Sequence, residues 1–316
     1  MPYPIAPALG AYTGQSGVYI PEIWSGKLLE KFYISTVLAA ISNTDYEGEI
    51  KAYGDTVNIR TIPDMIIRDY QIGTGLVYDR PQGTKVSLYI NKGKYFGVSI
   101  NDVEKKQSDI AYVNKWAEDA SEQMKITIDA AVLADIFADA SAYNKGATAG
   151  KISADINLGA TGSSGSNAVV LNKANIIDYI VMCGQILDEQ NVPENSRWFI
   201  LPAWAVTRIK TSEIKDASMT GDGKSVLRNG RIGMIDRFEI FSSNNLYITT
   251  ETSTKCWNSV FGHKSALTFA TQLTENETIA NPNDFGKLMR GLQVYGYKVL
   301  HTESLGHLYC RPGTMA

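Results

Sequence analysis

The glycine-rich segment 221–225 comes closest to a chemical site in this sequence, because Gly-Asp-Gly-Lys-Ser ends as a phosphate-binding loop ends. Such a loop also needs a glycine five residues before Gly223, where the chain must turn tightly. Ser218 stands at that position, and no apolar strand precedes the loop. The sequence therefore favours a solvated surface loop over a nucleotide site.

The three histidines, His263, His301 and His307, are the next candidates, as possible metal ligands. His301 and His307 are six residues apart, which would place them on one face of a continuous strand. Gly306 lies between them and is expected to break such a strand, and no Asp or Cys is placed as a third ligand. We expect structural roles for these side chains and no metal.

Two further patterns fail as catalytic sites. Residues 14–17 lack the nucleophile-elbow pattern, because Val18 takes the place of the required second glycine. Asp129, Asp135 and Asp139 could pair for acid–base work, but the acids and small residues around them are typical of a solvated helix face. We expect exposed carboxylates there without a raised pKa, and we assign no catalytic residue and no cofactor.

The composition excludes several classes of protein. The 316 residues are 44% hydrophobic and 20% charged, as in a folded globular chain, and the formal net charge of −3 disfavours a dedicated nucleic-acid binder. Three widely spaced cysteines suggest neither disulfides nor a zinc site. No secretory signal and no run of about 18 apolar residues occurs, so we expect folding inside a cell and no membrane partner.

The first half of the chain reads as a series of extended and helical elements. Residues 1–17 are rich in proline and glycine and predict an extended arm, followed by a helix over 21–40. Alternating residues predict a long β-hairpin over 53–97, whose middle, 62–83, has too little apolar periodicity to bury surface within its own subunit. Residues 102–140 contain no glycine or proline and predict one long helix of roughly 60 Å.

The second half predicts a lobe of mixed helix and strand. Small residues over 146–167 indicate a flexible connection between two lobes. A helix over 172–190 and a buried strand over 198–201, bounded by the polar Arg197, follow it. Later alternating segments make the C-terminal third mostly β, and 213–230 reads as a surface loop.

Charged and aromatic side chains of the first half are candidates for contacts between subunits. The hairpin lysines are exposed strand-edge charges by default, with ion pairing between subunits as the alternative. The candidates are Arg68, Asp69, Asp79, Arg80, Lys85, Lys92 and Lys94 of the hairpin, with Tyr12 of the arm and Trp24 of the first helix.

The order of these elements resembles that of the major capsid proteins of tailed bacteriophages, which share the Hong Kong 97-type fold. Five stretches carry the resemblance. They are Tyr-Gly-Asp-Thr-Val at 53–57, Ile-Asn-Asp-Val-Glu at 100–104, Val-Pro-Glu-Asn-Ser-Arg-Trp-Phe-Ile-Leu-Pro at 192–202, residues 229–240 with Ser-Asn-Asn at 243–245, and Ala-Leu-Thr-Phe-Ala at 266–270.

The resemblance implies an α+β fold with an N-terminal arm, an extended loop, a spine helix, and peripheral and axial domains. The implied segments are the arm and first helix at 1–45, the extended loop at 46–100, the spine helix and linker at 101–167, the axial domain at 168–261, and a β-rich return to the peripheral domain at 262–316. The implied function is to build an icosahedral shell of pentamers and hexamers around double-stranded DNA. The implied locations are the virion and, during assembly, the host bacterial cytoplasm.

Several expectations about partners accompany the resemblance. The chain starts directly at the arm, so we expect a separate scaffolding protein, together with a portal protein and weakly contacted DNA. Some relatives crosslink a lysine to an asparagine between subunits, but no residue here matches that pair by motif. Two other interpretations stay open at this point: a bacterial nanocompartment shell enclosing enzyme cargo, and a cytosolic enzyme using 221–225 or the His301 and His307 pair.

Overall fold

The computed structural model describes residues 34, 36–45, 56–60, 62–63, 65–73, 75–83, 85–101, 112–162, 167–212, 233–282 and 284–314. Several predictions lie outside these residues: those on Tyr12, Trp24, the elbow-like 14–17, the phosphate-loop-like 221–225, and the first turns of the long helix. In the described part, helix and strand are mixed throughout, as the α+β prediction requires.

The described helices are α1 (Leu38–Ile41), α2 (Tyr112–Ile136), α3 (Ile176–Glu189) and α4 (Ala203–Thr211). The described strands are β1 (Thr56–Arg60), β2 (Lys85–Tyr89), β3 (Lys92–Asn101), β4 (Val169–Leu171), β5 (Arg197–Leu201), β6 (Met234–Ile235), β7 (Phe238–Ser242), β8 (Ile248–Glu251), β9 (Thr254–His263), β10 (Leu267–Ala280), β11 (Gly286–Val299) and β12 (Leu305–Pro312). None of the described helices is both long enough and apolar enough to cross a membrane.

A seven-stranded mixed sheet forms the centre of the subunit, in the order β4-β12-β9-β5-β7-β6 with β8 paired to β9. The central strand β5 is buried along its whole length, which confirms the strand predicted over 198–201. Its side chains alternate between two cores. Phe199 and Leu201 pack with α3 and α4, whereas Trp198 and Ile200 pack with α2.

The long helix α2 packs against this sheet through its C-terminal half. Ile128, Val132, Leu133 and Ile136 share one apolar cluster with Trp198 and with the start of β10 and the end of β11. Burying each such side chain contributes about 1.5–3 kcal/mol, so this cluster fixes the helix firmly to the sheet. The described helix has 25 residues and is followed by a 3-10 turn over Phe137–Asp139, so it ends before the predicted Ala140.

Two polar side chains depart from the sequence predictions, because both are buried. Asp129 of α2 was expected on a solvated face, but only 1% of its surface is exposed. Arg197 was expected to bound a buried strand, yet it is buried inside it. Its guanidinium donates to the carbonyl of Pro193 at 2.8 Å and to the carboxylate of Asp188 at 2.7 Å, and these bonds offset the cost of burying the charge.

The segment predicted as a flexible connection is packed over its described part, 146–162. Leu158 is fully buried, and its carbonyl accepts a hydrogen bond from the backbone N–H of Tyr309 at 2.8 Å. Gly159 follows with φ +79°, and a Cβ there would lie 2.4 Å from the carbonyl oxygen of Tyr309. Glycine at this position therefore permits a close approach to β12 rather than flexibility, which corrects the sequence prediction.

The two histidines considered as a metal pair do not share a strand. His301 is exposed and is followed by a 3-10 turn over Thr302–Ser304, whereas His307 is buried in β12. Gly306 does not break that strand, contrary to the prediction. A Cβ on Gly306 would lie 2.1 Å from the ring of Phe261, so the glycine is needed for packing.

His307 is held in one tautomer by its neighbour Asn258. The amide nitrogen of Asn258 donates to the carbonyl of Tyr247 at 2.9 Å and to Thr249 Oγ1 at 3.0 Å, so its Oδ1 faces the imidazole. Nε2 of His307 therefore donates to that oxygen, at 3.0 Å. Burial, together with the positive charge of Lys145, lowers the pKa of His307 to about 4.

Acid is therefore expected to destabilise the subunit through His307. Because the folded-state pKa lies below the unfolded value of 6.5, this contribution is complete above pH 6.5 and is lost as pH falls towards 4. The loss should reach roughly 3 kcal/mol, measured by urea unfolding at several pH values. His307→Gln should remove this part of the pH dependence of the free energy of unfolding, whereas His301→Gln should retain it. Equal slopes in wild type and His307→Gln would contradict the expectation.

Candidate assembly surfaces

A long loop projects from the hairpin formed by β1 and β2. The two strands pair antiparallel, with Thr56 opposite Tyr89 and Arg60 opposite Lys85. Between them, the described residues of 62–83 form no helix or strand, and all of them are exposed except Pro63, which is half-buried. We name the segment 62–83 the projecting loop. Its described part makes no core of its own, in agreement with the sequence prediction.

Large apolar side chains cover the projecting loop. Ile62, Ile67 and Ile72 are 94%, 90% and 93% exposed, and Tyr78 is 86% exposed. The other exposed members of this set are Met65, Ile66, Tyr70, Leu76 and Val77. Scattered exposed apolar residues are normal in a soluble protein, but a contiguous set of this size marks an interaction surface.

The charged residues of the projecting loop divide into two groups. Arg68 and Asp79, predicted as contacts between subunits, pair with each other, with Nη2 and Oδ2 2.9 Å apart. This exposed pair joins the two sides of the loop and contributes about 0.2–1 kcal/mol. Asp69 and Arg80 are exposed, and their contact with another subunit stays a prediction.

The hairpin lysines also differ from one another. Lys85 is exposed and lies opposite Arg60, and two like charges in register repel each other. An acidic partner would relieve this repulsion, which keeps Lys85 a candidate for contact with another subunit. Lys94 is half-buried in β3, where its role stays a prediction.

Lys92, predicted as an exposed edge lysine, is bonded within the chain. Its Nζ lies 3.0 Å from Oδ2 of Asp135 in α2, and both groups also bond the hydroxyl of Tyr297 in β11. We name Lys92, Asp135 and Tyr297 the base triad, because they lie where the hairpin joins the body of the subunit. Its ammonium also lies 4.1 Å from the centre of the Tyr297 ring, a cation–π contact.

The base triad favours the charged forms of its lysine and its carboxylate. Hydrogen bonds from Tyr297 and then from Lys92 lower the pKa of Asp135. Burial lowers the pKa of Lys92, but its bonds to Tyr297 and Asp135 outweigh this effect and raise it. Burial and the bond to Asp135 raise the pKa of Tyr297 to about 12. The lysine and the carboxylate therefore form an ion pair at neutral pH.

A second sheet, in the order β10-β11-β3, carries another exposed surface. A groove of about 320 Å³ lies on it, and Tyr95 beside the groove is 83% exposed. Gly291 allows the Phe96 ring to lie against the sheet, because a Cβ would stand 2.2 Å from that ring. The groove is lined by Tyr95, Phe96, Glu275, Glu277, Arg290, Gly291 and Leu292.

Sequence reasoning selected the charged residues of the hairpin and missed the apolar ones. The signal was present, since isoleucines and tyrosines recur over 62–83 between glycine, proline and charges without helix or strand periodicity. Apolar residues that no regular element can bury within the subunit are available for a partner. Tyr95 and Leu292 gave no such signal, because they lie on strands in which exposed side chains alternate with half-buried or buried ones in the usual way.

Comparison with solved structures finds matches along nearly the whole chain. A structure from Mycobacterium phage Che8 is 25% identical, has a TM-score of 0.74, and is matched over 92% of this chain and 97% of that chain. The capsid of cyanophage P-SCSP1u is 15% identical, with a TM-score of 0.71 and coverage of 93% and 94%. The mature capsid of bacteriophage PhiM1 is 12% identical, with a TM-score of 0.65 and coverage of 94% and 93%.

No protein-family model and no curated protein sequence matches the chain. The similarity therefore lies in the three-dimensional arrangement rather than in a sequence signature. It extends over more than nine-tenths of the chain in each of these three structures.

Proposed function

We propose that this chain, whose fold is the Hong Kong 97-type fold of tailed-phage major capsid proteins, is the structural subunit of an icosahedral phage capsid enclosing double-stranded DNA. The neighbours in structure are phage capsids, and they favour neither a nanocompartment shell nor an enzyme. The role that they support is a structural one, as part of an oligomeric shell in the virion.

The projecting loop is the observation that carries this proposal. Side chains such as Ile67 and Ile72 are almost fully exposed in a single subunit, although burying each would contribute about 1.5–3 kcal/mol. A neighbouring copy supplies that burial, and repetition of the contact around a closed symmetry generates a shell. Pentamers and hexamers are the units that we expect.

The domain limits follow from the same proposal. Residues 46–100 act as the extended loop, 101–167 as the spine and linker of the peripheral domain, 168–261 as the axial domain around capsomer centres, and 262–316 as the β-rich return. Residues 1–45 complete the contacts as an arm and first helix. The shared apolar cluster of α2 and the central sheet supports a peripheral and an axial domain that are firmly joined.

The remaining partners are proposals drawn from charge and from the need to assemble in a cell. A net charge of −3 leaves little repulsion between copies and no strong attraction for phosphates, which suits weak contact with packaged DNA. We expect scaffolding and portal proteins as further partners and assembly in the bacterial cytoplasm.

Electron microscopy of the purified protein tests the proposed function. The expected result is capsomers, and closed shells of one diameter when a scaffolding protein is co-expressed. Sedimentation velocity should show the matching large species. A chain that stays monomeric under every assembly condition, with and without the scaffold, would overturn the proposal. Uniform closed shells from this chain alone would instead refute the need for a separate scaffold.

A further inference from the structure

The base triad joins three separate elements of the subunit. Lys92 stands at the start of β3, Asp135 lies one residue from the end of α2, and Tyr297 lies in the second half of β11. Each of the three side chains contacts the other two. A helix, a sheet and the strand that follows the hairpin are thus bonded at one point.

This point lies at the root of the hairpin. Strand β2 ends at Tyr89, so Lys92 follows within three residues. Gly296, the neighbour of Tyr297, approaches the same turn, because a Cβ there would lie 2.2 Å from the carbonyl oxygen of Tyr89. The backbone of β11 therefore lies directly against the place where the hairpin leaves the body of the subunit.

A small apolar cluster also contacts the hairpin root. It contains the buried side chains of Leu88, Ile90 and Ala270, with Val57 and Val294 packed beside them. Apolar burial holds groups together but has little directional preference, whereas hydrogen bonds depend on angle. The cluster can therefore hold the root in place, while the base triad can fix its direction.

We propose that the base triad is a positioning device that sets the angle at which the projecting loop leaves the subunit. This inference rests on the proposed function, because the angle matters only if the loop must reach a neighbouring copy. The base triad thereby determines whether the apolar side chains of the projecting loop reach their contact positions on the neighbouring copy.

The exposure of the triad separates this role from a role in stability. The side chains of Lys92 and Asp135 are 41% and 60% exposed. Exposed ion pairs contribute little to the free energy of unfolding. Removing one member should therefore leave the folded subunit nearly as stable and change the direction of the loop.

Shell assembly by triad variants gives the first test. Lys92→Met and Tyr297→Phe should reduce the yield of uniform shells by about tenfold while the melting temperature stays within about 2 °C of wild type. Lys92→Arg, which keeps the charge, should recover part of the yield. The matched control is Glu122→Gln, which breaks another exposed pair on α2, Glu122 with Lys125 at 2.7 Å, and should assemble normally.

A distance measurement tests the angle itself without requiring assembly. Spin labels on Arg60→Cys, at the end of β1 where the projecting loop leaves the hairpin, and on Glu118→Cys report the direction of the hairpin relative to α2. Both positions are exposed, whereas Cys183, Cys256 and Cys310 are buried and escape labelling. Double electron–electron resonance should give one narrow distance distribution in the labelled protein with no further substitution and in its Glu122→Gln variant. The Lys92→Met and Tyr297→Phe variants of the labelled protein should give a broadened or shifted distribution.

The outcomes distinguish the two proposals. Unchanged distances in both triad variants, or normal shell yield from both, would overturn the positioning role while leaving the capsid function intact. If the parent protein itself forms no capsomers or shells, the proposed function fails, and the distance distributions still decide whether the triad fixes the loop. Loss of assembly with a large fall in melting temperature in both variants would assign the triad to stability and overturn the inference.

Discussion

Replacing Ile66, Ile67, Tyr70 and Ile72 together with serine is expected to abolish shell formation and to leave the folding of the subunit unchanged. All four side chains are at least 68% exposed in the subunit. Each would contribute about 1.5–3 kcal/mol on burial against a neighbour, so the variant loses several kcal/mol at every contact. Since 1.4 kcal/mol is about tenfold in an equilibrium constant, assembly should fall by several orders of magnitude.

Light scattering and electron microscopy measure assembly of this variant, and thermal unfolding measures its folding. Exposed substitutions change the free energy of unfolding by no more than about 0.5 kcal/mol, so the melting curve should match that of wild type. The control replaces the three isoleucines with valine and Tyr70 with phenylalanine, which keeps the apolar surface and should still assemble. Normal shells from the serine variant would refute the loop as the assembly surface.

Asp129→Ala is expected to destabilise the folded subunit strongly. Oδ1 of Asp129 accepts from the backbone N–H groups of Val37 at 3.1 Å and Leu38 at 3.0 Å, and Oδ2 accepts from the side-chain amide of Asn245 at 2.7 Å. Alanine would leave these donors buried without a partner, at about 1–3 kcal/mol for each. The free energy of unfolding should fall by about 3 kcal/mol or more, as measured by denaturant titration of Trp fluorescence.

The matched control is Asp139→Ala, because Asp139 is an exposed carboxylate in the 3-10 turn that follows the same helix. It should change the free energy of unfolding by less than about 0.5 kcal/mol. Asp129→Asn, which keeps one acceptor oxygen, should fall between the two. A loss below about 1 kcal/mol in Asp129→Ala would show that the three hydrogen bonds, two to the α1 segment and one to Asn245, do not contribute to the stability of the subunit.

Asp129 should also leave a signature in the pH dependence of stability. Burial raises its pKa, and the hydrogen bonds from Asn245, Val37 and Leu38 offset only part of this effect. A folded-state pKa above the unfolded value means that this contribution to stability is largest at low pH and falls as pH rises through the folded pKa. The free energy of unfolding of wild type, measured by denaturant titration relative to that of Asp129→Asn, should therefore fall as the pH rises through the folded-state pKa of Asp129.

The sequence predicted those parts of the fold that local patterns determine. A run of four large apolar residues over 198–201, bounded by a polar residue and a proline, predicted a buried strand, and an apolar periodicity without glycine or proline predicted α2. The absence of such periodicity over 62–83 predicted a loop without its own core. In each case, the residue pattern within one segment determines its secondary structure, so the segments that pack against it need not be known.

The remaining features depend on residues far apart in the chain. Asp129 is buried because Val37 and Leu38, 92 and 91 residues earlier, bring their N–H groups to it. The stretch 146–162 looks flexible in composition, but it packs because β12 arrives from the other end of the chain. Spacing within one segment cannot reveal contacts of this kind.

The base triad illustrates the same limit at a candidate site. Lys92 and Tyr297 are 205 residues apart, and only the pairing of β3 with β11 brings them together. The sequence alone leaves Lys92 as an ordinary edge lysine. Its partners follow from topology, which the order of elements suggests but does not specify residue by residue.

Hydrogen–deuterium exchange over residues 65–83, compared between free subunits and assembled shells, tests most directly whether this loop becomes ordered by lying against another copy. In free subunits, these amides should exchange as fast as in an unstructured peptide, while those of the central strand β5 stay protected. In shells, exchange over 65–83 should slow by at least about tenfold. Protection of these amides already present in an isolated subunit, or none gained in the shell, would contradict the assembly role of the projecting loop.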